Sequence, residues 1–130
     1  MDLPEDLLAL LRAPSTCYLA TTMPDGSPQL TQTWVDTDGK NIVINTVEGY
    51  QKTRNVARDP RVAVTVSDPA NPFAYYSVRG HVVAASQEHG AEGIEALSQK
   101  YTGGPYQWYG GRDQVRVVLT IAADKIHRMG

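Results

Sequence analysis

Two hydrophobic periods alternate along the chain, and each change of period marks an element. Leu7, Leu8, Leu10 and Leu11 fall at helical spacing within residues 1–13, with Asp2 able to cap the start, Pro4 suited to the first turn and Pro14 closing the end. Thr16–Thr22 is a run of strand formers, and Pro24-Asp25-Gly26-Ser27 is a turn in which proline presets one backbone angle and glycine takes the unusual one. A second strand is expected over residues 28–36. Asp38-Gly39 then closes a hairpin into a third strand over residues 41–47.

Gly49 and Pro60 bracket a short helix, because Pro60 bars continuation and pushes Asp59 out of helical geometry. In Arg61–Ser67 the residues Val62, Val64 and Val66 alternate with small and polar ones, the period of a half-buried strand. Residues 73–86 form a long strand pattern broken at Gly80, where a bulge would fit. Residues 87–101 have helical composition, weakened by Gly90 and Gly93. A last strand over residues 114–122 turns Val115, Val117, Leu119 and Ile121 inward, and residues 125–128 extend it. The sum is mainly β with peripheral α: six antiparallel strands, mostly hairpin-linked, best accommodated by a compact barrel within one domain, residues 1–130.

Composition narrows the function classes. With 42% hydrophobic and 20% charged residues in 130, the chain has the make-up of a globular domain with one ordinary core. A formal net charge of -2 gives no electrostatic support to nucleic-acid or anionic-membrane binding. The single Cys17 excludes an intrachain disulfide, and His81, His89 and His127 lack ligand spacing, so no metal site is expected. No apolar run approaches a membrane span, and the first residues lack the basic-then-apolar order of a secretory leader. A cytoplasmic protein is the expectation.

One stretch carries candidate chemistry. Lys52, Arg54 and Arg58 lie in the helix between Gly49 and Pro60, with Thr53 and Asn55 among them. A helix start offers unpaired N–H groups and partial positive charge. Lys52, Arg54 and Asn55 in that first turn make a phosphate or carboxylate pocket reasonable, while a solvated basic face would carry the same residues.

Three motifs in this order resemble the split β-barrel superfamily of flavin and deazaflavin binders, typified by pyridoxamine-phosphate oxidase-like proteins. They are Tyr18-Leu19-Ala20-Thr21 through Asp25-Gly26-Ser27-Pro28-Gln29-Leu30; Lys52-Thr53-Arg54-Asn55 with Asp59-Pro60-Arg61-Val62-Ala63; and Val78-Arg79-Gly80-His81-Val82. The Lys-Thr-Arg-Asn form is similar to that of the deazaflavin-dependent oxidoreductases, which use coenzyme F420. The resemblance implies a six-stranded split barrel that pairs into a homodimer with cofactor sites at the interface. It also implies hydride transfer between deazaflavin carbon-5 and a small conjugated organic molecule. The alternatives are an enzyme using flavin mononucleotide (FMN) and a non-enzymatic F420 carrier.

By the same resemblance Lys52, Thr53, Arg54 and Asn55 grip the cofactor phosphate. Relatives commonly carry a further basic residue just before the lysine, where Tyr50-Gln51 stands here, and Arg58 and Arg61 are the nearest cations for a charged oligoglutamate tail. The ring is expected against Gln29, Leu30, Thr31 and Gln32 and against Ile44, Asn45 and Thr46, with Ile44 offering an apolar surface. Phe73 or Tyr75 would stack against the partner subunit's ring or else fill a barrel end. Tyr106, Trp108 and Tyr109, in a glycine-flanked loop, suit either an aromatic lid or dimer packing. Arg79, His81 and Arg112 are candidates to anchor substrate. The sequence identifies no catalytic residue.

Overall fold

A computed structural model describes all 130 residues. It contains α1 (Glu5–Arg12), β1 (Thr16–Thr22), β2 (Pro28–Thr33), β3 (Asp36–Thr37), β4 (Ile42–Val47), α2 (Gln51–Arg58), β5 (Arg61–Ser67), β6 (Tyr75–Ser86), α3 (Gly90–Thr102) and β7 (Arg116–Met129). All strands belong to one antiparallel sheet in the order β2-β1-β5-β6-β7-β4-β3.

That order requires the sheet to curl. Strands β2 and β3 are its opposite edges, yet only Trp34 and Val35 separate them in sequence. Seven flat strands would place the edges about 29 Å apart at the usual strand spacing. Three residue steps from Thr33 to Asp36 reach about 11 Å at most. The sheet therefore bends round until its edges nearly meet, which makes a split barrel.

The expected count of six strands is corrected to seven here. The second strand breaks at Trp34-Val35 because its first part pairs with β1 and its last two residues pair with β4. Val35 at the crossing is fully buried. Its N–H donates to the Tyr101 hydroxyl (3.2 Å), and the Lys100 ammonium donates to its carbonyl (2.5 Å) and to that of Leu11 (2.8 Å). The end of α3 thus fastens the crossover to α1.

The core joins α1 to both halves of the sheet through Leu7, Leu11, Leu19, Val35, Ile42, Ile44, Val64, Val66, Val78, Leu119 and Ile121. Valines 62, 64 and 66 face it as their alternation requires. Val115 is exposed and precedes β7, so its expected inward position is corrected, whereas Val117, Leu119 and Ile121 are buried. The expected cap at Asp2 is likewise replaced: Pro4 holds the N-cap position, and the Asp6 carboxylate accepts from the Leu7 N–H (3.0 Å) and the Tyr76 hydroxyl (2.6 Å). A register shift falls at Gly80, where an added Cβ would stand 2.2 Å from the Ala122 carbonyl oxygen. Helix α3 starts at Gly90 rather than 87 because His89 takes a left-handed conformation (φ 61°).

Candidate functional site

A cavity of about 550 Å³ opens where the start of α2, one face of α3, the β2–β3 crossover and β4 converge. Its walls are chemically sorted. Ile94, Leu97 and Tyr101 project from α3, one turn apart, as helical spacing demands. Trp34 stacks on Tyr101 with centroids 5.2 Å apart and planes 12° apart, forming a flat aromatic wall. Tyr106 and Tyr109 reach in from the loop after α3, edge-on to one another.

Two cations face this space, Lys52 from α2 and Arg116 from the start of β7, and none of the lining residues is acidic. Lys52 Nζ has one long hydrogen bond, to Thr31 Oγ1 (3.5 Å). Arg116 Nε donates to Asn45 Oδ1 (2.8 Å), and its Nη1 reaches the Tyr106 hydroxyl at 3.4 Å. Neither cation has a carboxylate partner. Burial lowers the Lys52 pKa below its ordinary value, and the neighbouring Arg116 charge lowers it further. Burial also lowers that of Arg116. Two desolvated positive charges without a counter-charge are costly unless something negative joins them. The start of α2 adds to the same field, since it has no side-chain cap and no acidic residue in its first turn.

The neutral groups nearby have settled roles. Tyr101 Oη donates to the Ser15 carbonyl (2.7 Å) and accepts from Val35, and burial pushes its pKa up to about 12. Burial likewise pushes the Cys17 thiol up to about 12, against the pull of Lys52 and Lys100. Neither is poised to give up its proton. Thr53 Oγ1 donates to the Val47 carbonyl (2.7 Å), so Thr46 Oγ1 is the donor in its 3.0 Å contact with Thr53.

Of the residues the sequence singled out, Gln32, Asn45, Thr46, Lys52, Tyr106 and Tyr109 line the cavity. Thr31 and Thr53 stand directly behind, bonded to Lys52 and Thr46. Asn55 is fully buried: its amide donates to Thr21 Oγ1 (3.0 Å) and Gln29 Oε1 (3.3 Å) and accepts from Gln51 (2.8 Å). Asn55, Gln29 and Gln51 therefore clamp α2 to the β1–β2 hairpin. Arg54 folds away onto the Gly49 carbonyl (2.7 Å) and Gln51 (2.5 Å).

Ile44 is sealed in the core, so it offers a ligand no surface, which corrects its expected place against a ring. Leu30 is 66% exposed and Phe73 87% exposed, both outside the cavity, and Tyr75 lines a separate hollow with Asp6 and Arg128. Arg58 donates to the Thr22 carbonyl, Arg61 pairs with Asp59 (2.7 Å), His81 pairs with Asp124 (2.8 Å) and Arg112 lies over Trp108. Arg79 borders a shallow hollow with Arg61 and Lys125 on another face.

Tyr50 lines the cavity too, and so do Trp34, Tyr101 and Arg116, to which the sequence assigns no role there. Tyr101 alone carried a usable signal, because it continues the stripe of Ile94 and Leu97.

Comparison with known proteins agrees with this architecture. The family model for pyridoxamine 5'-phosphate oxidase matches residues 3–130. A solved F420 reductase is 31% identical, with a TM-score of 0.83 over 96% of this chain and 98% of its own. A conserved hypothetical protein of Mycobacterium tuberculosis is 26% identical, with a TM-score of 0.72 over 98% of this chain and 84% of its own. A Listeria innocua protein provisionally named a pyridoxamine 5'-phosphate oxidase shares the fold at 22% identity and a TM-score of 0.70, covering 95% of each chain. With the curled seven-stranded sheet and a family match over nearly its whole length, the chain belongs to the pyridoxamine 5'-phosphate oxidase family.

Proposed function

We propose that the protein is an oxidoreductase that binds coenzyme F420 in the cavity and acts on a small conjugated organic molecule. One observation carries this reading: a 550 Å³ cavity with flat aromatic walls holds two uncompensated cations and no acid. Such a site suits a ligand with a planar ring and an anionic part. The residues present fit that group. Lys52, backed by Thr31 and the uncapped start of α2, would hold a phosphate, and the Trp34–Tyr101 wall offers a flat surface to a ring. When bound, the deazaflavin supplies the hydride. The chain's own part is binding, orientation and exclusion of water.

The likeness to an F420 reductase over 96% of the chain supports the deazaflavin. The family match supports FMN as the second reading. Pairing of two copies belongs to the proposal, since Tyr18, Leu30 and Phe73 are exposed on the outside of the barrel. A cytoplasmic setting belongs to it as well; no helix is long and apolar enough to cross a membrane.

The test is a fluorescence titration of purified protein with F420 and, separately, with FMN. Tighter F420 binding, weakened at least tenfold by Lys52→Ala, is expected. Tighter FMN binding would promote the second reading, and binding of neither would overturn both.

A further inference from the structure

We propose that Arg116 anchors the substrate, and that the substrate therefore carries a carboxylate on a flat, conjugated framework. This rests on the reading of the cavity as the redox site and adds the chemical class of its second occupant.

The argument starts with how Arg116 is held. Arg116 pairs with Val47 and Asn45 pairs with Val118, so the two side chains are diagonal neighbours on one face of β4–β7. The Asn45 amide is fixed at its far end, because Nδ2 donates to the Gly90 carbonyl (2.9 Å) and must therefore turn Oδ1 toward Arg116 Nε (2.8 Å). That bond ties the guanidinium back by its inner nitrogen. The outer edge is left with Nη1, engaged only by the 3.4 Å contact with Tyr106, and Nη2, with no partner in the chain. Two parallel donors on one edge match the two oxygens of a carboxylate.

Helix α3 is shaped for this arrangement. A Cβ on Gly90 would lie 2.5 Å from the Arg116 carbonyl oxygen, and one on Gly93 would lie 3.0 Å from Asn45 Nδ2. The missing side chains let the helix come down onto the Asn45–Arg116 pair. The cavity beside Arg116 is aromatic, with Tyr106 beneath the guanidinium (5.5 Å) and Tyr109 edge-on to Tyr106 (5.7 Å), a separate surface from the Trp34–Tyr101 wall. An anion admitted there would lie among ring faces and edges, which favours a planar, conjugated carrier. Lys52 comes from a different wall and repels Arg116, so two separate anionic groups neutralise the pair better than one.

Cinnamate and its uncharged amide are the probes, titrated by tryptophan fluorescence against the F420-loaded protein and against protein without cofactor. Wild type should prefer cinnamate. Arg116→Gln should weaken cinnamate at least tenfold, the loss of a charge-assisted contact, with the amide changed less than twofold. F420 affinity should stay within about threefold of wild type. Asn45→Ala should weaken cinnamate less than Arg116→Gln does, and Arg116→Lys should restore it only in part. Melting temperature, followed in parallel, separates misfolding from lost recognition.

Failure of wild type to bind cinnamate, equal losses of acid and amide, or unchanged cinnamate binding in Arg116→Gln would each overturn the proposal. So would loss of F420 as severe as in Lys52→Ala, which would assign Arg116 to the cofactor. If F420 fails to bind while cinnamate still depends on Arg116, the F420 reading falls and the carboxylate anchor stands.

Discussion

Replacing Lys52 with methionine keeps the length and bulk of the side chain and removes only the charge. In the ligand-free protein that charge is half-buried, has one hydrogen bond of 3.5 Å and is repelled by Arg116. Losing it should leave folding stability unchanged or raise it, because methionine retains the apolar contacts of the stem. Anion affinity should move the other way. A phosphate oxygen about 4 Å from the ammonium would gain about 4 kcal/mol at an effective dielectric of 20. Desolvation of the phosphate offsets part of this, and the net value of a charge-assisted contact is about 1.5–3 kcal/mol, or roughly 10- to 150-fold in affinity. Urea unfolding and an F420 titration on the same preparation measure both quantities.

The pH profile adds a second constraint on the same residue. The folded-state pKa of Lys52 lies below the ordinary 10.5. Anion affinity is thus full below that depressed value and begins to fall as pH rises through it, in a window that opens below 10.5. Stability without ligand rises over the same window, since the unfolded chain then holds more protons. A methionine variant that is markedly less stable, yet binds F420 as wild type does, would refute the reasoning.

Three further outcomes are expected. Asn55→Ala should cost about 2–3 kcal/mol in urea unfolding, because Thr21, Gln29 and Gln51 lose a common buried partner. Gly90→Ala should lower stability by about 1–3 kcal/mol and weaken anion binding as well, since its Cβ would press on the Arg116 backbone and lift α3 from β7. Iodoacetamide at pH 8 should leave Cys17 unmodified in the folded protein and alkylate it in urea, because burial holds the thiol near 12; rapid native-state labelling would contradict this.

How much of this was legible in the chain follows from the range of the interactions concerned. Arg61–Ser67 and Thr16–Thr22 show their period within a few residues, and both strands have the boundaries the pattern indicates. The break at Trp34-Val35 has no local signal; it exists because two distant strands claim the two halves of one apparent strand. Lys52 was legible from its place at a helix start. Arg116 was not, because its partners Asn45 and Gly90 lie 71 and 26 residues away, and only the pairing of β4 with β7 and the seat of α3 bring them together. Ile44 was misassigned for a related reason. Alternation shows that Ile44 and Asn45 point opposite ways but not which of the two faces the core.

The position of β7 in the sheet also constrains how the molecule is made. Residues 116–129 form the strand that bridges β6 to β4, near the middle of the sheet although it is the last element in order. Until a ribosome has delivered that segment, the nascent chain has two pieces of sheet whose facing edges, β6 and β4, have no partner. Both edges carry unsatisfied backbone groups beside apolar side chains, which invites mispairing between neighbouring nascent chains. Closure therefore waits on late, long-range contacts, and folding should be slow for a chain of this size.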